Sequence, residues 1–158
     1  MLLATEEKKI KAAADSGSVV NVVGPGDVPE TVKVVKRKGR SRNFTGAGGG
    51  RIKGYGTAQV ELVQPNGKRM KGTTEVADVV RPLHSVGCIT DNDHDMLFKK
   101  GCAYVVPEGV FDEVLKRVEH VATYPREEGG LYVTEVTVRD PKARKAAATG
   151  FGGPGQGR

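Results

Sequence analysis

The chain has 158 residues, with 25 Lys and Arg against 19 Asp and Glu for a formal net charge of +6, and only 5% aromatic residues with no Trp. That length suits one domain with a real core, built from Val, Ile, Leu and Ala. No apolar run reaches the roughly 18 residues needed to span a bilayer, the charged start is unlike a secretory leader, and two cysteines cannot staple a mini-domain. These features point to an intracellular, cytoplasmic chain with no membrane partner and with two free thiols, Cys88 and Cys102.

Gly and Pro together supply 30 residues, 22 and 8 respectively, which favours short strands and turns over a helical bundle. The charge is uneven. Residues 33–42 hold Lys33, Lys36, Arg37, Lys38, Arg40 and Arg42 without an acid, and residues 141–158 hold Lys142, Arg144, Lys145 and Arg158 without an acid. This basic loop and the basic tail at 142–158 could make weak contacts with nucleic acid through phosphate attraction. Solvated charge is the plainer reading, because no aromatic stripe accompanies the cations.

In chain order, residues 1–9 form a polar lead. Residues 10–14 read as a strand, followed by Asp15-Ser16-Gly17. Ser18-Val19-Val20-Asn21-Val22-Val23 is rich in β-branched residues and reads as a second strand, stopped by Gly24-Pro25-Gly26. Residues 31–35 predict another short strand. Glycines 46, 48, 49 and 50 make residues 44–52 a glycine-rich hairpin. In residues 57–63, Ala58, Val60 and Leu62 alternate with Gln59 and Glu61, and Pro65-Asn66-Gly67 predicts a tight turn into a partner strand over 69–80. Arg81-Pro82 breaks that strand, and residues 83–90 predict one or two helical turns.

Residues 96–98 and 103–106 predict short strands about Lys99-Lys100-Gly101. Val110, Phe111, Val114, Leu115, Val118 and Val121 fall at helical spacing and predict the longest helix of the chain. Residues 131–138 alternate as a strand should, ending at Asp140-Pro141. Beyond lies a Gly-rich basic tail with too little apolar surface to order itself. The expected fold is mostly β with one late helix.

Several chemistries fail on spacing. Counted from Gly46, Gly48 or Gly54, the sixth position is Arg51, Lys53 or Gln59, so no G-x-G-x-x-G phosphate loop starts in this glycine run, and Gly67-Lys68 leads to Arg69 rather than Ser or Thr. Asp91, Asp93, His94, Asp95, Cys88 and Cys102 lie near one another in sequence but match neither a zinc nor a calcium pattern, so a polar turn explains them better. Nothing in the spacing favours a thiol nucleophile pairing Cys88 with His84 or His120.

Asp15-Ser16-Gly17 between apolar segments, followed by the glycine-rich hairpin at 46–56 and the alternating strand at 59–63, resembles the retroviral-type (retropepsin-like) aspartic proteases, in particular the retrotransposon polyprotein branch. The resemblance covers residues 8–106. It implies a retropepsin-like closed β-barrel, an acid-protease half, over residues 10–106, with a helix and strand extension over 107–140 and a disordered tail over 141–158. It makes Asp15 catalytic, with Ser16 bonding across a dimer axis and Gly17 allowing close approach. It makes Ser18 and the hairpin residues Gly46, Ala47, Gly48, Gly49, Gly50, Arg51 and Ile52 substrate-binding, the hairpin acting as a flap.

The family's apolar-apolar-Gly signature falls on Val79-Val80-Arg81-Pro82-Leu83-His84-Ser85-Val86-Gly87, with Ser85 in the glycine's place; Ser18 stands where the family usually has Ala. No other aspartate precedes Ser/Thr-Gly, so a pair of catalytic carboxylates needs two copies of the chain. The resemblance therefore implies a homodimeric endopeptidase acting on an extended peptide or polyprotein, with no metal and no cofactor. Two alternatives stand beside it: an inactive retropepsin-like interaction module, and a basic nucleic-acid-binding protein.

Overall fold

A computed structural model describes residues 7–36, 38 and 43–142. The basic tail beyond 142, and residues 37 and 39–42 of the basic loop, lie outside the described residues. The architecture is mostly β, as expected. A five-stranded sheet runs β1 (Ala13–Asp15), β7 (Leu83–Ser85), β2 (Val22–Val23), β6 (Arg69–Ala77), β5 (Gly54–Val63), and no described pairing joins its two ends. Two hairpins stand apart from it: β3 (Phe44–Thr45) with β4 (Arg51–Ile52), and β8 (His94–Phe98) with β9 (Ala103–Pro107).

The long hairpin of β5 and β6 follows from local chemistry. Gly67 sits at φ 82, Gly67 N donates to the Gln64 carbonyl, and the Asn66 side chain accepts from Lys68 N at 3.0 Å. Asn-Gly is suited to such a turn because glycine takes positive φ without steric cost. Ala58, Val60 and Leu62 turn inward while Gln59, Glu61 and Val63 are exposed, matching the alternation of the sequence. Near its start, β5 is bulged between Gly54 and Gly56. Gly56 has φ 141, and a Cβ there would stand 2.3 Å from the Val35 carbonyl oxygen. Only glycine lets Val35 and Thr57 exchange their two backbone hydrogen bonds at 2.8 and 2.9 Å.

The central strand β2 is flanked by β6 in parallel and β7 in antiparallel orientation. Its two valines are both buried, which is why a continuous apolar run occurs here instead of an alternating one. Val23, Val28, Ala58 and Val76 form the core cluster, with Ile10, Val32, Val34, Tyr55 and Val60 packed around it.

Several expectations need correction. The strand expected at 10–14 occupies Ala13–Asp15, the one at 18–23 is reduced to Val22–Val23, and 31–35 contributes a single bridge at Val35. The partner strand expected to run to 80 ends at Ala77. Residues 83–90 divide into β7 and the helix α1 (Val86–Thr90). The helix expected from Val110 to Val121 is only the single turn α2 (Asp112–Leu115), and the strand expected at 131–138 is replaced by one bridge between Arg126 and Tyr132. The reason is shared. Val110, Val114, Leu115, Val118 and Val121 remain exposed, as do Leu131, Val133, Val136 and Val138, so the apolar faces find no surface to bury against. An amphipathic helix draws most of its stability from that burial.

Candidate active site

Asp15 closes β1 and stands directly beside Ser85 in the parallel pairing of β1 with β7. The chain then turns through Ser16 and Gly17. Gly17 N donates to Asp15 Oδ1 at 2.8 Å, fixing one carboxylate oxygen against the turn. A Cβ on Gly17 would lie 3.3 Å from that oxygen, so any side chain there would crowd the carboxylate. Ser16 is exposed and Asp15 partly so.

What holds this turn is Ser85, which is fully buried. Its Oγ donates to the Ser18 carbonyl at 2.5 Å and accepts from Cys88 N at 3.2 Å, capping α1. Its backbone N donates to Asn21 Oδ1 at 2.8 Å, and the Asn21 carbonyl in turn accepts from Glu75 N of β6 at 2.9 Å. One serine thus ties the turn after Asp15, the start of α1 and the entry to β2 together. Ser85, where the resemblance expects glycine, is accommodated by this set of specific hydrogen bonds. Asn21 went unremarked in the sequence, where the available signal was a lone amide inside a run of valines.

The remaining expected site residues fall into two places. The Ser18 hydroxyl donates to the Val20 carbonyl at 2.6 Å, so it is engaged within its own loop. Gly46, Ala47, Gly48, Gly49, Gly50, Arg51 and Ile52 form the β3–β4 hairpin, with Phe44 opposite Ile52 and Thr45 opposite Arg51. Gly46 N donates to the Gly50 carbonyl at 2.9 Å, Gly49 N to the Gly46 carbonyl at 2.8 Å, and Gly49 takes φ 79. Residues 47–51 are exposed, while Gly46 and Ile52 are half-buried. No hydrogen bond among the described residues joins this hairpin to the Asp15 turn.

The hairpin is anchored at its base. Asp78 N donates to the Lys53 carbonyl at 2.9 Å, and Tyr55 Oη donates to Asp78 Oδ1 at 2.8 Å, with Lys53 Nζ 5.1 Å from the Tyr55 ring centre. The hydrogen bond to Asp78 raises the Tyr55 pKa above the ordinary phenolic value, keeping the donor protonated.

Asp95 and Asp91, also singled out by the sequence, have structural partners. Asp95 Oδ2 accepts from Gly109 N at 2.8 Å, and Asp91 is paired with Arg126. The His84 ring lies on β7 between Leu83 and Ser85, and among the described residues its buried Nε2 has no hydrogen-bond partner. Burial pushes the His84 pKa below the usual 6.5. Folding therefore favours neutral imidazole, and the contribution to stability is complete above pH about 6.5 and is lost as pH falls through the depressed folded value. We expect His84→Leu to flatten the loss of thermal stability between pH 7 and 5, read from melting midpoints against pH. An unchanged slope in the variant would show that His84 does not carry it. Asp91 acts at lower pH: hydrogen bonding to Arg126 lowers its pKa, so its contribution persists above the ordinary carboxylate range and is lost on further acidification.

No family model matches the chain, and no curated protein matches it. Among solved structures, the EIAV protease complexed with the inhibitor HBY-793 is similar at a TM-score of 0.42 and 16% sequence identity, over 56% of this chain and 82% of that one.

Proposed function

We propose that the chain is an aspartic endopeptidase of retropepsin type, active as a homodimer in which Asp15 of each copy faces the other. The observation that carries this reading is the Asp15 turn itself: a carboxylate at a strand end, oriented by Gly17 N–H, on a loop tied to β7 through Ser85. An aspartate that merely caps a turn would also bond Gly17 N. The additional tie from a buried residue distant in sequence is what a precisely held reacting group requires.

Two carboxylates brought close together cannot both ionise and share one proton. The ionised one takes a proton from water as its oxygen attacks the scissile carbonyl carbon. The protonated one gives its proton to the carbonyl oxygen, producing a tetrahedral intermediate. Collapse breaks the C–N bond, with the amine nitrogen taking its proton from the dyad. Ser16, exposed beside Asp15, would bond its counterpart across the axis. The β3–β4 hairpin would close over an extended peptide, its glycines permitting the movement. In this reading residues 10–106 are the catalytic domain, 107–140 an extension, and the substrate a retroelement polyprotein.

The shared dyad has its own test. Wild-type and Asp15→Asn chains mixed in equal amounts and allowed to exchange should retain roughly a quarter of the undiluted wild-type activity, the statistical share of dimers with two intact carboxylates. Retention of about half, the value for independent sites, would reject the dyad. A preparation that dimerises without cleaving any member of a peptide library would instead identify an interaction module.

A further inference from the structure

Among the described residues, the extension after β9 meets the helix that follows β7 through Arg126 and Tyr132. Arg126 Nη1 lies 2.6 Å from Asp91 Oδ1 and Nη2 3.1 Å from Asp91 Oδ2, a two-pronged pairing with the residue that ends α1. Nη1 also donates to Thr90 Oγ1 at 3.4 Å, and Thr90 Oγ1 lies 3.2 Å from Tyr132 Oη. The guanidinium stands 5.9 Å from the Tyr132 ring centre, held by the bridge between Arg126 and Tyr132. It presses on α1 where there is no side chain: a Cβ on Gly87 would be 2.9 Å from Nη2 and 3.4 Å from Ser85 Oγ.

These contacts form one continuous series. Arg126 grips Asp91 and covers Gly87; Gly87 abuts Ser85 Oγ; Ser85 caps α1 and holds the Ser18 carbonyl; Asp15 lies opposite Ser85. We propose that residues 124–132 are a clasp, and that Arg126 is a positioning residue that sets the Asp15 turn through α1 and Ser85. The extension is then a working part of the catalytic domain. The effect on turnover rests on the proteolytic reading above; the mechanical coupling does not. Arginine is suited to this place because its planar fork meets both carboxylate oxygens, which a lysine ammonium cannot do.

The test uses the full chain with Arg126→Ala, Arg126→Lys and the exchanged pair Asp91→Arg with Arg126→Asp. Cleavage of a peptide substrate gives kcat and KM, and amide hydrogen exchange is followed at residues 85–91 and 16–21. Arg126→Ala is expected to lower kcat about tenfold with KM changed less than about twofold, since a small displacement of a reacting group affects the chemical step most. Exchange should quicken in both segments, the exchanged pair should restore part of the protection, and Arg126→Lys should restore less. Exchange at 16–21 identical to wild type in Arg126→Ala overturns the clasp, as does an unchanged kcat in an enzyme shown to depend on Asp15. Should Arg126→Ala fail to fold, Asp91→Asn replaces it with the same expectations. Should the wild-type chain show no Asp15-dependent cleavage, the proteolytic reading falls, and the exchange data alone decide whether the clasp holds the turn.

Discussion

Asp15→Asn is expected to lower peptide cleavage by roughly 10³-fold or more, while dimer formation and the melting midpoint stay close to those of the wild type. An amide has nearly the shape of a carboxyl group, and its oxygen can still accept from Gly17 N, so the turn after β1 survives. It cannot take a proton from water, nor share one with a symmetry mate, so the acid and base steps are lost together. The measurements are turnover of a peptide found by library screening and sedimentation of the variant over a range of concentrations. Cleavage at the wild-type rate would assign the chemistry to another group. Activity that climbs steadily into alkaline pH would do the same, because the proposed step needs one carboxyl group protonated.

Ser85→Ala is expected to cost about 3 kcal/mol of folding stability, a large effect for the removal of one oxygen atom. The oxygen serves two groups, as donor to the Ser18 carbonyl and as acceptor for Cys88 N. Its loss removes a helix cap worth about 1 kcal/mol and leaves the Ser18 carbonyl without the donor supplied by a fully buried side chain, at about 1–3 kcal/mol more. Urea unfolding at neutral pH, above the range in which His84 titrates, measures it. The predicted catalytic consequence is a fall in kcat larger than stability alone explains at temperatures where the variant is fully folded. Ser85→Gly should be at least as destabilising as Ser85→Ala, because it removes the same two hydrogen bonds. A loss below about 0.5 kcal/mol in both variants would mean that Ser85 does not hold the turn.

The acid behaviour of the fold bears on both experiments. His84 and Asp91 each withdraw stability as pH falls, His84 below about 6.5 and Asp91 in a lower range set by Arg126. Assays in the weakly acidic range therefore sample a chain already less stable than at neutral pH, and turnover should be compared at temperatures well below each variant's midpoint.

Much of the outline is written locally. Asn66-Gly67 specifies its turn within a few residues, and the strands on either side keep the alternation that places Ala58, Val60 and Leu62 inward. The β8–β9 hairpin and the glycine-rich β3–β4 hairpin are legible for the same reason, as is the Asp15-Ser16-Gly17 turn as a chemical motif. The sequence misleads where a local pattern requires a distant surface. Periodicity over residues 110–121 describes a good amphipathic helix, but among the described residues nothing covers its apolar side, and one turn results.

The sequence alone determined the mostly-β class, the turns and the single candidate carboxylate, because each depends on backbone preferences or side-chain chemistry spanning a few residues. Only the tertiary structure decided that β1 lies parallel to β7, that Ser85 reaches 67 residues back to Ser18, and that Arg126 closes on Asp91. Such pairings depend on which surfaces meet when the core around Val23, Ala58 and Val76 is buried, and neighbouring residues carry no record of that meeting.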